Sequence, residues 1–356
     1  MPPIPRNDIH DVIVSDPSKS ATEDISSMTS NSNDIHDPKS DAGKNTMPLN
    51  PVPFINIPFG EFTKAAIVMG LVTSLFHHFG QFHSYYWMTI YLVCQIGEMI
   101  SPATLNLVQY IFPPALIVYT SLNEGGFHPS WAQLIAFMPT VLFLIGVPMS
   151  VCLHRYFSHS AFTTTRFGQF LVAVVSTFAY QGGCLWWAAK HIRHHHYCDQ
   201  PKDPHSVVQQ GFSYAFCGWT MNPINLSERE THYLDNRLLV PELYFLDKCY
   251  LLPVALMFTY LEHVGYARSF IASSILLPML LCRLITLLFN VEYHPAHDPK
   301  RCKSVDNPRL LALIVGESQH DLHHKSPAKS RRNDWDLAYW ISLSWMEAFG
   351  LVWDLR

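Results

Sequence analysis

The chain has 356 residues, of which 49% are hydrophobic and only 15% charged, where a soluble domain carries about 25% charged residues. Its net charge of -4 offers no basic surface to nucleic acid, and a mean hydropathy of +0.08 is too low for a bundle sunk wholly in lipid. The composition implies a membrane protein with a sizeable polar part.

Residues 1–49 are rich in Ser, Asp, Asn and Thr and nearly free of aromatics. Such a segment cannot bury enough apolar surface to offset its ordering entropy, so a disordered tail is expected. It also lacks the basic start and apolar core of a secretory signal, and its Asp residues argue against a transit peptide. Residues 50–100 hold two weaker apolar stretches, "FTKAAIVMGLVTSLFHHF" and "YYWMTIYLVCQIGEMI", which predict a further hairpin or interfacial helices. The main membrane domain is expected over 101–356. Its clearest spans are 102–121, 131–153, 250–267 and 270–290, each long enough or nearly so for about 30 Å of hydrocarbon. Short connections pair them into two hairpins. Lys and Arg gather at 190–202, 229–248 and 300–332, which places 154–249 and 291–356 in the cytosol. The expected fold is therefore an all-α integral membrane protein with at least four transmembrane helices in two hairpins and a cytosolic helical cap. Eight scattered cysteines without a C-x-x-C pair read as buried apolar residues in a reducing compartment, not as metal ligands.

Twenty histidines are many for this length, and four groups of them stand out. "HRYFSH" supplies His154 and His159; "HIRHH" supplies His191, His194 and His195; "NVEYH" supplies Asn290 and His294; "HDLHH" supplies His320, His323 and His324. In H-x-x-H-H the rings fall at i, i+3 and i+4, one face of a helix. Two such faces opposed across a gap can hold metal between them. Metal–nitrogen bonds near 2 Å then require all four groups on one side of the membrane. Two crossings between His195 and His294 satisfy this. The stretch 167–189 must not cross once, so it is expected to dip or lie at the interface around Gln181, Gly182 and Gly183. Nine imidazoles exceed the four ligands of a structural zinc and imply two ions, which favours redox iron. Beside a membrane, that suggests O2 activation for attack on unactivated C–H bonds of acyl chains or sterols.

These boxes resemble those of the membrane fatty-acyl desaturases, in particular the stearoyl-CoA desaturase family, from about residue 100 to the C-terminus. "DPH" (203–205), "GFSYAFCGW" (211–219) and "GESQHDLHH" (316–324) add to the likeness. The resemblance implies that His154, His159, His191, His195 and His323 hold one iron. It implies that His194, His294, His320 and His324 hold the other, with Asn290 acting through a water. Trp187 and Thr286 would shape a bent acyl tunnel, and Leu142 and Gly146, neither bulky, would leave its far end open to long chains. His196 and His297 fall outside the pattern. Glu317 and Asp321 are the expected carboxylates orienting the histidines. The implied reaction places a cis double bond, most often delta-9, in an acyl-CoA. It uses two iron ions, O2, and electrons from cytochrome b5 and its reductase, at the cytosolic face of the endoplasmic reticulum membrane.

No Lys or Arg occurs from 203 to 228, where the family's CoA-binding cations would lie. A glycerolipid- or sphingolipid-bound chain is therefore an alternative substrate. A histidine-box hydroxylase or sterol oxidase is a second, although such enzymes commonly space the first box H-x-x-x-H. A His-rich zinc transporter is the non-enzyme alternative, but it would need ligands near mid-membrane, and these boxes lie at helix ends.

Overall fold

The computed structural model describes residues 86–123, 129–227 and 230–356, with isolated positions between 63 and 74. The expected tail at 1–49 and most of the first weak apolar stretch lie outside the described residues. The second weak stretch forms α1 (Tyr86–Ile100). The molecule is all-α: among the described residues, strand is confined to Thr163–Thr164 paired antiparallel with Val352–Trp353.

Among the described residues, three helices are long and apolar enough to cross a membrane: α2 (Thr104–Leu122), α3 (Trp131–Ser158) and a later helix, Arg268–Glu292. The Ser130 hydroxyl and the Gln133 side chain cap the start of α3 reciprocally, satisfying amide groups that have no partner inside the helix. From Ile145 to Ser158 this helix widens into π-type winding. That change bears on the first box. In an α-helix, residues five apart sit about 140° from one another. Winding with i→i+5 bonds makes such residues neighbours, so His154 and His159 come to share a face.

The stretch 167–189 does not run straight. It forms α4 (Arg166–Ser176) with a short tail to Ala179, then α5 (Cys184–Tyr197), the two inclined at 78°. Tyr180 (φ 62°) and Gly182 (φ 107°) adopt left-handed backbone at the bend, a region that glycine enters without steric cost. A Cβ at Gly183 would lie 2.2 Å from Asp247 Oδ1. That carboxylate accepts the Leu185 and Trp186 backbone N–H groups at 2.8 and 2.9 Å, so a residue from far along the chain caps α5. On the other side, the buried Arg283 guanidinium donates to the Tyr180 carbonyl (2.7 Å) and to Asn106 Oδ1 (2.7 Å). The acceptors are neutral, and the carbonyl end of the α4 segment supplies the opposing partial charge.

The expected span 250–267 is shorter than predicted. α6 (Leu252–His263) has 12 residues and rises about 18 Å, less than the hydrocarbon thickness. The chain turns over at Gly265 (φ 99°), and the Arg268–Glu262 ion pair (2.7 Å) closes the corner. α6 packs on α1 through Trp87 and Phe258, ring centroids 4.8 Å apart. From that corner α7 (Arg268–Glu292) returns to the boxes. Large apolar side chains on the outer faces of the spans are exposed, Leu122, Trp131 and Ile135 among them, as lipid-facing helices require.

Candidate metal centre

The four histidine groups converge. His154 and His159 come from the end of α3, His191, His194 and His195 from α5, His294 from just beyond α7, and His320, His323 and His324 from α8 (His320–Lys325). In a first cluster, Nε2 atoms face one another: His154 to His323 at 2.9 Å, and His159 to His191, His191 to His195 and His195 to His323 at 3.0 Å. In a second, His294 Nε2 stands 3.2 Å from His194 and 3.0 Å from His320, and His320 lies 3.2 Å from His324. The ring of His195 stacks on that of His324, centroids 4.2 Å apart, which joins the two clusters.

Hydrogen bonding alone does not account for this packing. A neutral imidazole carries one N–H, yet His191, His195 and His323 each set the same nitrogen against two others. Carboxylates settle where the proton lies, because an ionised carboxylate only accepts. His154 donates its Nδ1–H to Glu317 (3.0 Å), His194 to Asp203 (2.9 Å) and His294 to Asp199 (3.0 Å). Each Nε2 therefore turns a lone pair inward. Separations near 3.0 Å are those of adjacent ligands at right angles about an ion with metal–nitrogen bonds of about 2.1 Å. The donor set fits two cations.

Charge and burial agree with this. Burial pulls His320, His323 and His324 well below the usual imidazole range, and neighbouring charges add to the shift. His205, buried against His194, is lowered to about 3 by the same desolvation. Burial pushes Glu317 upward, but Arg332 (3.0 Å) and His154 outweigh it and hold the carboxyl below its ordinary range. Asp199 is likewise lowered despite burial, chiefly by the His294 hydrogen bond. Desolvation thus disfavours the charged form of His205, His320, His323 and His324, while Glu317 and Asp199 are held toward the carboxylate form.

Glu317 stands where the sequence predicted a histidine partner, but Asp321 does not. It pairs with Lys300 (3.0 Å) and Lys325 (2.7 Å) and accepts from Ser304, because it sits on the outer side of the short α8. The carboxylates on the second cluster are Asp199 and Asp203, which sequence reasoning missed. Both lie in the eight residues after "HIRHH", and Asp203 opens the "DPH" segment. His196 and His297 are exposed and outside both clusters. Cys198 and Cys302 form a disulfide, against the expectation of eight free thiols.

Beside the clusters lies a mostly apolar cavity of about 220 Å³ that reaches His154, His191 and His320. Trp187, Thr286 and Asn290 are in its wall, as are Ile145 and Met149. Leu142 and Gly146 are not. A Cβ on Gly146 would meet Ala338 at 3.3 Å, so this glycine serves helix contact.

No family model matches the chain. Over 240 residues it is 25% identical to an Arabidopsis thaliana protein named as a probable chloroplastic lipid desaturase, a match covering 65% of each chain. It is 28% identical over 224 residues to the Arabidopsis thaliana chloroplastic palmitoyl-monogalactosyldiacylglycerol delta-7 desaturase, covering 60% of this chain and 58% of the relative. It is 23% identical over 252 residues to a delta-9 fatty-acid desaturase of Caenorhabditis elegans, covering 66% of this chain and 74% of the relative. The matched part spans less than two thirds of the length of the first two relatives.

Proposed function

We propose that this chain belongs to the membrane fatty-acid desaturase family and is an O2-dependent di-iron oxidoreductase that places a cis double bond, delta-9, in a saturated acyl chain, a reading supported by its similarity to several desaturases. The observation that carries this reading is the pair of inward-facing imidazole clusters, five rings in the first and His194, His294, His320 and His324 in the second, beside an apolar cavity. His154, His159, His191, His195 and His323 would hold one iron. His194, His294, His320 and His324 would hold the other, with Asn290 contributing through a water. When bound, the iron pair supplies reduction of O2 and removal of hydrogens from two adjacent methylenes.

The protein's own part is placement. Trp187 and Thr286 flank the cavity where it meets the histidines, and their bulk fixes which methylenes come to rest there. The apolar lining excludes water from the reacting carbons. Glu317, Asp199 and Asp203 hold three ligand tautomers, so no ring reorients as the substrate enters. Residues 101–356 form the catalytic domain in this reading, with α1 as an accessory helix before it. Electrons would come from cytochrome b5 and its reductase at the cytosolic face of the endoplasmic reticulum.

The acyl carrier is CoA or a membrane lipid. The lack of Lys and Arg from 203 to 228 favours a lipid-linked chain, since a tetra-anionic headgroup would find no cation there. Of the relatives above, one is named a lipid desaturase and another is named for a palmitoyl chain on monogalactosyldiacylglycerol. Expression in a desaturase-deficient yeast, followed by lipid analysis, tests the reaction and its carrier together. New monoenes that disappear with His194→Ala or His320→Ala support it; an unchanged lipid profile from a well-expressed chain rejects it.

A further inference from the structure

Cys198 and Cys302 lie 104 residues apart in the chain, yet they close a disulfide at the rim of the histidine clusters. Cys198 caps α5, which carries three of the boxed histidines; Cys302 lies on the segment leading to α8. Cys198 Sγ stands 3.7 Å from His294 Nδ1, and Cys302 Sγ stands 3.5 Å from His324 Nδ1. The two sulfurs therefore press on the outer nitrogens of imidazoles whose inner nitrogens face His320.

This edge is also where solvent approaches. An open cavity of about 280 Å³ is lined by Cys198 and Cys302 together with His195 and His324, and Lys300, Arg301 and Lys325 stand around it. Cys302 is half-buried, whereas Cys198 is almost wholly buried. The free thiols Cys94, Cys152, Cys184, Cys217 and Cys282 are buried. The two segments are held together without the sulfur bond as well: the Lys303 backbone N–H donates to Asp199 Oδ2 at 2.8 Å. Opening the disulfide therefore leaves two thiols facing each other across a short gap, ready to close again.

We propose that Cys198 and Cys302 are a reversible thiol-oxidation site, whose disulfide clasps the solvent-facing edge of the imidazole clusters and slows loss of metal from them. The metal half of this inference rests on the reading that these imidazoles hold iron. The oxidant is a small anionic disulfide of the glutathione class, which the surrounding cations attract. The Cys302 thiolate attacks one glutathione sulfur, breaking that S–S bond, forming a mixed disulfide and releasing one glutathione thiolate. Cys198, as thiolate, then attacks the Cys302 sulfur and expels the second glutathione. The two cysteine protons pass to the departing thiolates, so two thiols and one disulfide become one disulfide and two thiols. A disulfide on a face bathed in a reducing compartment is usually transient, and a reversible pair fits that setting.

The test uses the full-length protein in detergent, with and without iron. Treatment with oxidised glutathione is expected to give a cross-linked peptide joining Cys198 to Cys302, seen by mass. Dithiothreitol is expected to replace it with two alkylatable thiols. Iron release to an excess chelator should be about tenfold slower in the cross-linked form. Cys302→Ser should release iron at the fast rate in either treatment, and Cys249→Ser should behave as the unaltered protein. The variant-free comparison of oxidised and reduced protein guards against a serine variant that does not fold. Absence of the cross-link in folded protein, or equal iron release from both forms, overturns the proposal. The cross-link is scored without metal or turnover, so it stands or falls apart from the desaturase reading.

Discussion

His194 donates its Nδ1–H to Asp203 across 2.9 Å, and its Nε2 then faces His294 at 3.2 Å. The proton on one side of the ring thus determines the lone pair on the other. Asp203→Asn keeps the shape but no longer offers an acceptor-only partner. The expected result is a loss of about 10–100-fold in metal affinity, measured by chelator competition. Asp321→Asn, which alters a carboxylate paired with lysines, should leave the affinity unchanged.

The bend between α4 and α5 sets where the second box lies. Gly183→Ala would drive a Cβ to 2.2 Å from Asp247 Oδ1 and 2.4 Å from the Asp247 carbonyl oxygen, so either the cap or the helix must shift. Asp247→Ala removes the cap itself, at about 0.5–2 kcal/mol. Both variants are expected to unfold at lower temperature and to bind less iron. A normal iron content in either would mean that the bend does not place the box.

Arg283 is buried among neutral acceptors in a membrane-spanning helix. Arg283→Leu leaves the Asn106 carbonyl without this donor and weakens the tie to Tyr180. A loss of about 1–3 kcal/mol per unsatisfied group is expected, read from thermal unfolding in detergent.

Acid should destabilise the metal-free protein. His320, His323 and His324 have folded pKa values below the usual range, so the unfolded chain binds more protons once pH falls below about 6.5. The stability from their neutral burial is complete above that pH and is lost as pH falls toward the folded values. Unfolding free energies at two pH values, one on each side of the unfolded pKa, should show this, the lower pH giving the smaller figure.

The cavity makes a separate demand. Thr286→Trp should fill the wall beside the histidines and cut desaturation by more than about tenfold while iron content holds, because space is lost and no ligand is. Gly146→Leu, by contrast, should lower stability through its clash with Ala338 and leave product chain length unchanged.

How far these features could be read from the sequence depends on their range. The boxes were legible because helical spacing presents i, i+3 and i+4 on one face, and because apolar runs place them at helix ends. The break at 181–183 was legible from its glycines and the need to keep the boxes on one side. Asp199 and Asp203 were missed because a carboxylate's partner is a matter of tertiary placement, and Asp321, one residue from His320, looked the nearer choice. The Cys198–Cys302 pair spans two elements whose meeting no local pattern records. The brevity of α6 was hidden because its hydrophobic run continues past Gly265, where backbone conformation, not hydropathy, ends the helix.

The central claim, that the inward-facing imidazoles form a cage for two iron ions, is tested most directly by metal analysis of the purified, full-length protein. Two iron ions per chain are expected, with His195→Ala and His320→Ala each reducing the content. Labile zinc in place of iron, or no bound transition metal in folded protein, would contradict it.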